Sequence, residues 1–135
     1  EVSEFSHEQM ARVTQIDYDR EMVFIATERD ERGEEVTLGM VQAQMDPDNH
    51  EGEFSIAIRS DLKGCGLGRL LLGKMLAHCR DQGTRHLVGW TLPQNRGMAS
   101  LARSLGFRVK YDPDEEVIDM RIDLQAPDAT ASPAP

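Results

Sequence analysis

The run Lys63-Gly64-Cys65-Gly66-Leu67-Gly68-Arg69 decides how the rest of the chain is read. Three glycines at alternate positions leave backbone without Cβ atoms, so N–H groups can turn outward and a ligand can come close. Leu67, Leu70, Leu71, Met75, Leu76 and Cys79 then fall at helical spacing until Gly83 stops the pattern. A helix therefore begins inside the glycine run, and its first amides and positive dipole end favour an anion such as a phosphate. Lys63 and Arg69 flank the same turn and add charge. A tight turn that merely packs a helix on a strand would use the same glycines, so a second signal is needed. Two nucleotide loops are excluded by spacing. A Walker loop requires Gly-Lys-Ser/Thr, whereas Gly68 is followed by Arg69 and Leu70, and a dinucleotide fingerprint has Gly-x-Gly-x-x-Gly where these glycines alternate.

Working outward, Phe54, Ile56 and Ile58 alternate with Ser55, Ala57 and Arg59, the pattern of a strand with one buried face. Before it, Met22 to Ala26 reads as a strand, Asp30 to Glu34 as a turn, Val36 to Met45 as the return strand and Asp46 to His50 as a loop. The three form an antiparallel meander. Ser6 followed by Gln9 resembles a capping box and predicts a short helix from His7 to Gln15. Downstream, His86 to Leu92 is strand-like and Pro93 breaks it. Met98, Leu101, Ala102 and Leu105 mark a second helix ended by Gly106. Phe107 to Val109 and Val117 to Ile122 predict two closing strands. From Gln125 the composition turns to Ala, Pro, Ser, Thr and Asp, so 125–135 is expected to be a disordered tail or linker. The order of elements is α+β, a central mixed but mostly antiparallel sheet flanked by helices, in one domain over 1–124.

The chain has 135 residues, one domain's worth. No apolar run approaches the roughly 20 residues of a membrane span, so no membrane association is expected. Net charge is -9, unevenly spread: residues 1–53 carry 15 acids and 4 bases, whereas 54–111 carry 2 and 10. An acidic chain argues against nucleic acid, and the basic island around the glycines suits a small polyanion. Cys65, Cys79 and the histidines 7, 50, 78 and 86 show no ligand spacing, so no metal is expected, and the sparse cysteines fit a cytoplasmic location. Glu1 opens the chain without a Met, which reads as a piece of something longer.

Lys63 to Gly68 resembles the acetyl-CoA loop of the GNAT superfamily, Gln/Arg-x-x-Gly-x-Gly/Ala, with Lys63 in its first place. Asn95-Arg96-Gly97-Met98-Ala99-Ser100-Leu101-Ala102-Arg103-Ser104-Leu105-Gly106-Phe107 resembles that superfamily's Asn…Leu-Gly-Phe helix. Thr14 to Met22, Arg59 to Gly64 and Leu92 to Met98 are similar to the C-terminal acetyltransferase domain of bacterial Pat-type protein lysine acetyltransferases, so the resemblance covers about 6–124. It implies acetyl-CoA as acyl donor and a splayed strand pair in which Ile56, Ala57 and Ile58 meet the pantetheine arm. The pyrophosphate would lie on Lys63, Gly64, Cys65, Gly66, Leu67, Gly68 and Arg69. Asn95 would hydrogen-bond the donor near its thioester, or simply cap its helix. The resemblance also implies a lysine of AMP-forming acetyl-CoA synthetase as acceptor, a large N-terminal acyl-CoA-synthetase-like region, and a chain that starts after the superfamily's first strand and helix.

An ammonium must lose a proton before it can attack a thioester, since at a pKa of about 10.4 only roughly one lysine in a thousand is free amine at neutral pH. Glu53 stands where the resemblance puts the base, with Glu51 or a merely solvated acidic loop as alternatives. Asp17, Asp19 and Glu21, with Glu51 and Glu53, would attract a basic loop around a target lysine. The tyrosine that many GNAT enzymes carry four residues before the Gly of Leu-Gly-Phe is Ala102 here. A small-molecule amine acetyltransferase and a non-catalytic acyl-CoA sensor are the competing readings.

Overall fold

In a computed structural model of the chain, residues 12–125 are described. A continuous apolar run in β2 and alternation of apolar and polar side chains in β4 accompany four strands, β1 (Arg12–Asp17), β2 (Glu21–Arg29), β3 (Glu35–Met45) and β4 (Glu51–Ile58), each antiparallel to the next. Helix α1 (Leu67–Asp81) leads to β5 (His86–Thr91), then α2 (Arg96–Ser104), β6 (Arg108–Asp112) and β7 (Val117–Asp123). The sheet order is β1-β2-β3-β4-β5-β7-β6, with β4 and β5 its parallel pair. This is the mixed, mostly antiparallel sheet that the order of elements implies.

One expectation fails at the N-terminal end. Residues 12–15, predicted as the end of a helix, lie in β1, and the meander has four strands rather than three. Val13, Thr14 and Ile16 are β-branched, and the edge of β2 offers them a ladder from Arg12↔Thr27 to Asp17↔Met22. The rest of that predicted helix, 7–11, lies outside the described residues, as does 126–135 of the predicted tail. Gln125 itself is held, its Nε2 donating to the carbonyls of Thr84 at 2.9 Å and Arg80 at 3.2 Å.

Both helices cover the same face of the sheet. Leu67, Leu71, Leu72, Met75, Leu76 and Cys79 form the buried stripe of α1, packed on Phe24, Val41 and Phe54. Burial pushes the Cys79 thiol up to about 11. Ala99 and Ala102 are the buried residues of α2, and the Phe54 and Phe107 rings lie 5.4 Å apart on this side. The pleat sends Glu51, Glu53, Ser55 and Ala57 of β4, and with them Trp90 of β5, to the opposite face.

Candidate active site

Strands β4 and β5 pair over three residues only, Glu51↔His86, Gly52↔Leu87 and Glu53↔Val88. Beyond that point β4 stays paired to β3 as far as Ile58, and β5 stays paired to β7 as far as Thr91, but not to each other. The Phe54 ring lies against Gly89, where an added Cβ would come within 2.6 Å of it. The inner edge of β4 from 54 to 58 therefore faces a gap, with backbone groups that a ligand in extended form can pair.

That gap is one wall of a cleft of about 590 Å³. Ile56, Ala57 and Ile58 form the β4 side, Lys63, Gly64, Gly66, Gly68 and Arg69 the loop and first turn of α1, and Asn95, Gly97, Met98, Ser100, Leu101 and Ser104 the α2 side. Gly64 and Gly66 have φ of +85° and +95°, the left-handed region that glycine adopts without penalty. A Cβ on Gly68 would meet Leu101 Cδ2 at 3.2 Å, so glycine there lets the two helices converge at the cleft floor. No side chain caps α1 at Gly66, which leaves the first-turn amides for an external acceptor.

Two cations, Lys63 and Arg69, line the cleft. Arg59 is committed to Asp61, with Nε 2.7 Å and Nη2 3.1 Å from the carboxylate oxygens, and this hydrogen bonding holds the Asp61 carboxyl below its ordinary range. Lys63 and Arg69 have no carboxylate partner among the described residues. Arg69 Nη2 instead donates to Ser104 Oγ at 2.5 Å, which in turn donates to the Leu101 carbonyl at 2.7 Å. Asn95 caps α2 by accepting from the Met98 N–H at 3.1 Å, and it also lines the cleft.

Of the residues singled out in the sequence, Ile56, Ala57, Ile58, Lys63, Gly64, Gly66, Gly68, Arg69 and Asn95 come together in this cleft. Cys65 and Leu67 do not line it. Leu67 is the first residue of the buried stripe of α1 and Cys65 packs against the same core, so only their backbone faces the loop. Glu53 is exposed on the other face, at the fork where β4 and β5 part, with no side-chain partner among the described residues. Asp17, Asp19 and Glu21 line a separate cleft of about 340 Å³ with His78 and Gln82, so the acids of the first part do not form one patch. Ala102 is fully buried, so that helical position faces the core rather than the cleft. The α2 lining had not been foreseen, although Gly97, Ser100, Leu101 and Ser104 fall at the spacing of one helical face. Among the described residues no group of three His, Cys, Asp or Glu could hold a metal, and no helix is long and apolar enough to cross a membrane.

A forked strand pair beside a glycine-opened helix is the arrangement of the GNAT fold. The acetyltransferase (GNAT) family profile matches residues 1–107, and the chain belongs to that family. It is 28% identical to acetyltransferase PA5475 of Pseudomonas aeruginosa over 115 residues, 85% of this chain and 61% of that protein. Over 60 residues, 44% of this chain and 35% of the relative, it is 38% identical to the L-amino acid N-acyltransferase MnaT of Escherichia coli. The chain thus spans about three fifths of the first relative's length and about a third of the second's. Its fold superposes on the GNAT domain of S. lividans PAT with a TM-score of 0.64 at 20% identity, covering 79% of this chain and 64% of that one. The N-acetyltransferase PseH of Campylobacter jejuni in complex with acetyl coenzyme A gives 0.61 at 17%, covering 81% and 71%.

Proposed function

We propose that this chain is an acetyl-CoA-dependent N-acetyltransferase whose acceptor is the ε-amine of a protein lysine. The observation that carries the reading is the fork itself: one cleft runs from Lys63, Arg69 and the uncapped end of α1 along the free edge of β4, and Glu53 stands where the strands part. In this reading the loop amides and the two cations hold the diphosphate, and the β4 backbone pairs with the pantetheine arm. Asn95 orients the donor near its thioester. Glu53 takes a proton from the acceptor ammonium, directly or through one water, and the freed amine forms its C–N bond to the thioester carbonyl carbon. A β4 N–H near Ile56 stabilises the oxyanion. The C–S bond then breaks, and the nitrogen's second proton goes to the CoA thiolate through water, so the products are amide, CoA thiol and the proton left on Glu53.

A protein acceptor is supported by the exposure of Glu53 on an open sheet face and by the motif resemblance to Pat-type domains, which makes an AMP-forming acetyl-CoA synthetase the first partner to test. The local identity to an L-amino acid N-acyltransferase supports a second reading, a small-molecule amine as acceptor. Mass spectrometry of the purified synthetase after incubation with acetyl-CoA and this chain is expected to show a gain of one acetyl group. A panel of free amines and amino acids run in parallel tests the second reading. Glu53→Gln is expected to lower kcat about 100-fold or more with the Kd for acetyl-CoA unchanged. Full turnover in that variant would remove the base, and transfer to amino acids alone would remove the protein acceptor.

A further inference from the structure

The open face of the sheet carries a large apolar group that the donor cleft does not use. Trp90 is 57% exposed, and Leu92, two residues on, is 54% exposed. An indole this accessible on a strand is unusual, since tryptophan is among the most buried side chains on average. Its place is set by register. Glu53 pairs with Val88 and so shares its face, and Trp90 follows Val88 on that face, about 7 Å further along β5 at the strand rise of roughly 3.3 Å per residue. Trp90 therefore stands on the unpaired half of β5, beside the gap, on the side of Glu53.

The charges around it are mostly negative. Asp119 is the β7 partner of Trp90, and neither Asp119 nor Glu53 has a side-chain partner among the described residues. Of the cations on this face, Arg121 lies 3.4 Å from Glu51, Lys110 is the β6 neighbour of Asp119 without an ion pair to it, and Arg108 stands opposite Arg121, away from Trp90. Resting on the proposed amine acetylation, we infer that Trp90 is the acceptor-binding residue of this site, and that the acceptor is an ammonium on an unbranched alkyl arm. The stem lies along the indole and Leu92, the cation is drawn to the ring face and the two carboxylates, and the nitrogen reaches Glu53 at the fork. A free α-amino acid fits this surface poorly, because its carboxylate would face Glu53 and Asp119.

Trp90 is the one tryptophan of the chain, so its emission reports on the subsite directly. The full chain, saturated with CoA, is titrated with butylammonium chloride, with butanol and with alanine. A saturable change with butylammonium, weakened about fivefold in Glu53→Gln and absent with butanol, is the expected result. In steady-state kinetics Trp90→Ala raises the acceptor KM about tenfold with the acetyl-CoA KM unchanged, and Trp90→Phe recovers most of the loss. Emission that ignores butylammonium, responds equally to butanol, or responds most strongly to alanine overturns the assignment. Acetyl transfer seen by mass spectrometry with a flat titration sinks the subsite alone. A saturable titration with no transfer to any amine upholds the subsite and sinks the enzyme.

Discussion

Helices α1 and α2 open onto the same cleft, and they meet the same problem in opposite ways. Every helix begins with amides that lack an intrahelical partner. At α2 one of them is satisfied from within, because Asn95 Oδ1 accepts from Met98 N–H. At α1 the cap is Gly66 in the left-handed region with no side-chain acceptor, and the nearest cations, Lys63 and Arg69, have no carboxylate partner among the described residues. One end is closed by the protein and the other is left for a ligand. In the proposed reading an anion is drawn to α1, while Asn95, its oxygen engaged, keeps only amide N–H donors to offer the cleft.

The contrast can be broken most sharply at α1. Gly68→Glu puts a carboxylate in the first turn, and the Kd for acetyl-CoA measured by calorimetry is expected to rise more than about 100-fold. A Kd near that of the parent would show that the anion binds elsewhere. At α2 the effects are smaller and separable. Asn95→Asp keeps the capping oxygen and loses the donors, so acetyl-CoA affinity is expected to fall about tenfold with little change in Tm. Asn95→Ala loses the cap as well, about 1 kcal/mol, seen as a Tm lower by roughly 4 °C. The smallest effect sharpens the comparison along α1 itself. Cys65, in the loop, is expected to react with iodoacetamide at pH 8, whereas buried Cys79, with its pKa near 11, stays unlabelled in the folded chain. Because that value is raised above the ordinary 9.0, the stability that Cys79 contributes is full below about pH 9 and declines between 9 and 11. Chemical denaturation across that window, compared with Cys79→Ala, measures it.

The glycine run, α1 and α2 were legible because glycine and helical period are local signals, and they survive without knowledge of any partner. The strands from Met22 onward were legible for the same reason. The helix expected up to Gln15 was not, since Val13, Thr14 and Ile16 obey the edge of β2, which no local window contains. The fork between β4 and β5 is a register property: nothing in Phe54 to Ile58 alone says where pairing with β5 ends, and only the family resemblance supplied it. Leu67 could have been excluded as a cleft residue, because it starts the buried stripe that its own spacing predicts. Trp90 read as an ordinary strand residue, because its exposure depends on which face of the sheet it points to and on what packs there, which no local window contains.

Three rungs between β4 and β5 are all the ladder that ties a four-stranded plate to a three-stranded one. The two plates are otherwise joined through the helices packed across them. A molecule wedged into the opening and bonded to the edge of β4 acts as the missing rungs, so its binding energy becomes resistance to unfolding. Occupancy by the acyl donor and thermal endurance are then a single coupled quantity, and this domain is expected to be sturdiest while it holds the acetyl group it is about to give away.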